Sequence, residues 1–129
     1  MATIKSYTDI EQSKKLAEIL PLESADGVLC EYDDGSWHYE EWVDKPATSR
    51  HEQICWSLAA LLGILPVIIG DVLSENALRL RVDKGETEFA VWYDNLDSGM
   101  VEGGLDIIKS NAVDACYEMV IRLNELKML

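Results

Sequence analysis

The sequence predicts an α+β domain of the order helix, hairpin, helix, hairpin, helix, with an antiparallel sheet packed against the helices. Three observations predict it. Apolar residues recur at helical spacing in three separated segments, two pairs of alternating runs fold back on Asp34-Gly35 and Lys84-Gly85, and Pro21 and Pro66 stop the first two helical segments. At 129 residues the chain fits a single domain, 1–129, with enough interior to need no covalent staples.

The first helix is expected from Asp9 to Leu20. Thr8 and Glu11 have capping-box spacing; Ile10, Leu16, Ala17, Ile19 and Leu20 form an apolar seam, and Glu11 and Lys15 pair four apart on the wet side. A hairpin turning at Asp34-Gly35 follows. That turn sets Tyr32 opposite Trp37, Glu31 opposite His38 and Cys30 opposite Tyr39. One face then carries Val28, Cys30, Tyr32, Trp37 and Tyr39. The other carries Leu29, Glu31, Asp33, His38, Glu40 and Trp42.

The second helix is expected from Thr48 or Ser49 through Cys55, Leu58 and Leu62 to Leu65. Polar residues are few after Gln53, so it reads as the central and most buried helix. The uncharged run of 17 residues at 54–70 is at the short end of membrane-spanning length. Pro66 breaks it and no basic cluster flanks it, so it reads as a buried helix of a soluble protein. The piece VIIGDVL fits a short strand or an inward-packed loop. A second hairpin turning at Lys84-Gly85 sets Arg81 opposite Glu88 and Leu80 opposite Phe89, with Leu78, Val82, Val91 and Tyr93 also facing the core. Residues 95–108 read as a loop because of Gly99, Gly103 and Gly104. The third helix starts after Ser110 and reaches about Lys127, with Val113, Cys116, Met119, Val120, Leu123 and Leu126 inside and a Glu118–Arg122 pair outside.

The net charge of −13 is uneven, with −7 of it in residues 1–46. Residues 21–44 hold eight carboxylates and no Lys or Arg, together with Tyr32, Trp37, Tyr39 and Trp42. Such a surface repels phosphate and anionic lipid, so neither direct nucleic-acid binding nor membrane association is expected. A basic protein surface, a cation or plain solubility suits it. The outward strip of the first hairpin is the candidate binding site: Glu31, Asp33, Asp34, His38, Glu40 and Trp42.

Catalytic chemistry finds little support. Cys30, Cys55 and Cys116 form no spaced framework and read as free, buried thiols of a reducing, cytoplasmic setting; the N-terminus lacks the apolar core of an export signal. His51 and Cys55 stand four apart, which suits a dyad, but a rim His above a small core Cys explains the pair better. Zinc on Cys30, His38, His51 and Cys55 lacks knuckle spacing. Calcium on Glu31, Asp33 and Asp34 lacks the loop pattern. No metal, cofactor or catalytic residue is therefore assigned. Glu41 is the one carboxylate that alternation points inward, although a bulge would turn it out. The glycines near Gly99 lack a phosphate-cradling pattern, and no hydrolase elbow is present. Arg79, Arg81 and Trp92 lie close together outside the second hairpin, where an internal cation–π contact accounts for them.

At TDIEQSKKLAEILPLESAD, CWSLAALLGILP and AVDACYEMVIRLNELKML the chain resembles a family of short uncharacterised proteins of gut Bacteroidetes, often encoded in prophage-like or mobile regions. The resemblance covers both ends and the central helix, and is weakest at the acidic hairpin. It transfers no activity and no catalytic residue. It implies an accessory protein that acts by binding another protein.

The expected function is a small acidic interaction module without catalysis, of the inhibitor or immunity type. The alternatives are a small enzyme using a Cys/His or carboxylate pocket and a self-assembling structural component anchored by Trp42 and Trp92. Oligomeric state is open.

Overall fold

The computed structural model describes residues 5–41 and 52–129. The chain runs through α1 (Ile10–Ile19), a 3-10 turn (Leu22–Ser24), β1 (Gly27–Glu31), β2 (Trp37–Glu41), β3 (Glu52–Cys55), α2 (Leu58–Ile64), β4 (Ile68–Ile69), β5 (Leu78–Lys84), β6 (Phe89–Asn95), β7 (Val101–Lys109) and α3 (Ala112–Glu125). The α+β class stands, but the strands form two antiparallel sheets rather than one. Their orders are β2-β1-β3 and β4-β5-β6-β7.

Two of the strands, β3 and β7, come from segments read otherwise in the sequence. Glu52–Cys55, expected inside the second helix, is β3 and pairs with β1 from Gly27↔Cys55 to Cys30↔Glu52. Strand β1 is buried on both faces from Gly27 to Cys30, so its backbone must be paired on both sides. The helix therefore begins only at Leu58, where the Ser57 hydroxyl caps it by accepting from the Ala60 N–H at 3.2 Å. The expected start at Thr48 or Ser49 lies outside the described residues. Val101–Lys109, expected as loop, is β7. Its pairing with β6 slips between Trp92↔Asp106 and Asp94↔Val101, and Gly104, at φ +84°, sits in that irregularity.

The most buried helix is α3, not α2. Val113, Ala115, Cys116, Met119, Val120 and Leu123 of α3 are all closed to solvent, whereas α2 fully buries only Leu61. Helix α3 packs against β6, β7 and α2, and the core around it includes Trp56, Tyr93 and Leu105. Leu126, expected inside, is half exposed beyond the helix end. Arg122 donates to the Gly104 carbonyl instead of pairing with Glu118, tying α3 to the β7 irregularity.

Helix α1 carries its capping box one residue later than expected. Asp9 is the cap: the Gln12 N–H donates to Asp9 Oδ1 at 2.8 Å, and the Asp9 N–H donates to Gln12 Oε1 at 3.1 Å. Thr8 is taken by another task. It is fully buried; its N–H donates to the Trp56 carbonyl at 2.9 Å, and its Oγ1 accepts from the Trp56 N–H at 3.1 Å. The entry to α1 is thereby pinned to the entry to α2.

Among the described residues no helix is long and apolar enough to cross a membrane.

Candidate functional site

Strands β1 and β2 form the acidic hairpin, with a register one residue from the expected one. Glu31 faces Trp37, Cys30 faces His38 and Leu29 faces Tyr39. The cause is a longer turn. The Tyr32 N–H donates to the Ser36 carbonyl at 2.8 Å, so Asp33, Asp34 and Gly35 form the tip and Gly35 takes φ +84°. A slip of one exchanges faces along one strand relative to the other. His38 and Glu40 now share a face with Val28 and Cys30, while Trp37 and Tyr39 join Leu29 and Glu31. Tyr32, expected in the core, is 42% exposed.

The expected site residues divide accordingly. Asp33, Asp34 and His38 are exposed, Glu31 and Glu40 are half-buried, and Trp42 lies outside the described residues. The tip is internally ordered. Asp34 Oδ1 accepts the Ser36 N–H at 2.9 Å and also the Ser36 hydroxyl. The Ser36 hydroxyl, foremost, and the Ser36 N–H hold the Asp34 carboxyl below its usual range. Ser36 Oγ lies 2.8 Å from His38 Nε2, and the His38 and Tyr32 rings lie tilted against each other with centroids 4.3 Å apart.

An aspartate, a serine and a histidine in one chain of hydrogen bonds invite comparison with a hydrolytic triad, but the proton order is wrong. A hydroxyl has one proton, and Ser36 gives it to the acceptor-only Asp34 carboxylate. His38 Nε2 must then donate to Ser36, so it cannot act as the base that activates it.

The thiols are enclosed. Cys30, Cys55 and Cys116 form no disulfide and are buried. Burial, with Asp26 and Cys30 nearby, pushes the Cys55 thiol up to about 12, and burial pushes Cys116 up to about 11. Asp26 is itself a structural clamp, accepting the Ser57 N–H at 2.8 Å and the Ser57 hydroxyl at its other oxygen. His51, the other half of the suggested dyad, and the Glu41 side chain are outside the described residues. Among the described residues no three His, Cys, Asp or Glu side chains gather as metal ligands.

Among the described residues the one buried carboxylate is Asp94, which no sequence motif marks. It is 5% exposed and sits on the outer face of the second sheet. The β5–β6 hairpin turns at Glu86-Thr87, with the Gly85 N–H donating to the Glu88 carbonyl at 2.8 Å. This shifts the register four residues from the expected one, so Arg79 faces Asp94, Arg81 faces Trp92 and Val82 faces Val91. A shift of four preserves the faces. Leu78, Val91 and Tyr93 are buried as expected, whereas Val82, near the hairpin end, is half exposed. Arg81 does not pair with Glu88. Arg79 Nε donates to Asp94 Oδ1 at 3.0 Å, Arg81 Nε lies 3.7 Å from Oδ2, and Trp92 Nε1 donates to Oδ2 at 3.4 Å. The proximity of Arg79, Arg81 and Trp92 is as expected, but a carboxylate joins them. Beside Trp92, a cleft of about 220 Å³ is walled by Ala90, Val101, Asp106 and Ile108.

No protein-family model, no curated protein and no solved structure matches this chain.

Proposed function

We propose that the chain is a small acidic, non-catalytic interaction module whose β1–β2 hairpin meets a basic protein surface. The observation that carries this reading is the hairpin tip, where Asp33 and Asp34 stand in solvent within a stretch, residues 21–44, that holds no Lys or Arg. Ser36 keeps Asp34 ionised and fixed in direction. Glu31, His38 and Glu40 extend the surface along the strands, and Trp42 follows β2 in sequence. Ser36 spends its proton on Asp34 and the thiols are buried, which favours binding over catalysis. In this reading the protein works in the cytoplasm, where its buried thiols stay reduced. The resemblance to mobile-element proteins suggests an inhibitor or immunity-type accessory role.

The test is titration with an arginine-rich peptide at rising salt. Affinity is expected to fall steeply with ionic strength, and a variant carrying Asp33→Asn, Asp34→Asn and Glu40→Gln is expected to bind roughly tenfold more weakly. An affinity indifferent to both salt and the triple variant would remove the hairpin as the site.

A further inference from the structure

The outer face of the second sheet presents two guanidiniums held by one buried carboxylate. The Asp94 side chain is 7% exposed, while those of Arg79 and Arg81 are 37% and 48% exposed. Each arginine approaches Asp94 through Nε. Their terminal Nη nitrogens make no hydrogen bond to a described residue and can meet an incoming carboxylate in a two-pronged contact. Here Asp94 anchors the inner edge of each guanidinium and leaves the outer edge to solvent.

What lies next to these arginines sets the chemistry of a ligand. Trp92 stands directly across from Arg81, and Asp106 on β7 stands directly across from Trp92. The face therefore reads guanidinium, indole, carboxylate over three adjacent strands, roughly 10 Å from end to end at the usual strand spacing. The cleft beside the indole is lined by Ala90, Val101 and Ile108, which are apolar, with Asp106 as its one charged wall.

We propose that this face binds a small monocarboxylate with an apolar body, its carboxylate on the Nη groups of Arg79 and Arg81 and its body on Trp92 and in the cleft. Asp106 repels a second anionic group at the far wall, so dicarboxylates are rejected. The cleft volume of about 220 Å³ lies below the range of roughly 300–1,000 Å³ typical of drug-sized ligands, which limits the body to about one ring. With so few atoms in contact, the dissociation constant is on the order of 0.1–1 mM. This site is separate from the acidic hairpin, and its charge preference is the opposite.

The experiment is a titration of the full chain with 3-phenylpropionate, followed by the Trp92 indole N–H resonance and by calorimetry. Parallel titrations use 3-phenylpropionamide, phenylsuccinate and inorganic phosphate. The acid is expected to bind and shift the Trp92 signal, with the amide, the diacid and phosphate each at least about tenfold weaker. Arg81→Gln is expected to weaken the acid about tenfold. Asp106→Asn, on an exposed position that leaves the arginine anchor intact, is expected to let phenylsuccinate bind nearly as well as the monoacid. The proposal is overturned if the acid produces no shift at about 10 mM. It is equally overturned if the amide or phosphate binds as well as the acid, or if Arg81→Gln binds unchanged.

Discussion

The ring of Tyr39 occupies the space that a side chain at Gly27 would need. A β-carbon built at Gly27 would lie 2.1 Å from Tyr39 Cε2, and the same ring stacks on Tyr7 with centroids 4.5 Å apart. Gly27 thus has its ordinary strand conformation but no room for a side chain, and the N-terminal segment reaches the first sheet through Tyr7 on Tyr39.

Gly27→Ala is expected to displace Tyr39 and to cost about 1–3 kcal/mol, read from the urea midpoint. In a Tyr39→Ala background the same change is expected to be nearly neutral, because the obstructing ring is gone. Equal costs in the two backgrounds would mean that the ring and the glycine do not interact.

Thr8→Val keeps the shape of the buried side chain and removes its hydroxyl. The Trp56 N–H and the Ser13 hydroxyl each lose their contact with Thr8 Oγ1. The expected loss is about 1–3 kcal/mol. Thr8→Ser, which keeps the hydroxyl, is expected to recover most of it, and failure to do so would assign the effect to packing.

The thiols provide a test of burial. Burial raises Cys55 to about 12 and Cys116 to about 11, so at neutral pH both are protonated and enclosed. A disulfide reagent is expected to label no thiol in the folded chain and all three in denaturant, with labelling of the folded chain limited by unfolding. Rapid labelling of Cys55 in the native state would contradict its enclosure and reopen cysteine chemistry.

The pH dependence follows from the network joining α1 to α3. Lys5 Nζ and Gln12 Nε2 each donate to Asp114 Oδ1 at 2.8 Å, and Asn111 donates to Oδ2 at 2.8 Å. Burial by itself would raise the Asp114 carboxyl, but these hydrogen bonds outweigh it and lower it; likewise burial would lower Lys5, and its bonds to Asp114 and Asp9 raise it. A lowered carboxyl contributes stability present above its unfolded value of about 3.9 and lost as pH falls through the folded value. A raised amine contributes below about 10.4, and that contribution is lost as pH rises through its folded value. Stability measured against pH is expected to fall at both ends, and Asp114→Asn is expected to flatten both. Asp34 adds to the acid side alone, so Asp34→Asn is expected to leave the alkaline limb untouched. A profile unchanged by Asp114→Asn would show that the network contributes nothing in solution.

Much of the local order was legible because it is carried by near neighbours. The helical seams of α1 and α3, the stops at Pro21 and Pro66, the burial of all three thiols and the faces of β5 and β6 follow from spacing alone. Where the reading failed, two local patterns were equally acceptable and a distant partner chose between them. Thr8 and Asp9 can each cap a helix, and Trp56, 48 positions away, claims Thr8. Ile54 and Cys55 suit helix or strand, and the doubly buried β1 recruits them as its second neighbour. Asp94 was missed because a turn at Lys84-Gly85 keeps it away from Arg79. Moving the turn to Glu86-Thr87 shifts the partner of every residue but changes no face, so the core pattern could not reveal the error.

The amino-acid order by itself therefore determined the α+β class and the concentration of acid in residues 21–44. Each is a property of composition or of neighbours within a few positions. Only the tertiary structure decided that the strands split into two sheets, that α3 rather than α2 is the central helix, and that Asp94 gathers two arginines and an indole on an open face. Those outcomes depend on which strand pairs with which, and in what register. Backbone hydrogen bonds look alike along every strand, so that choice is made by burial over the whole fold.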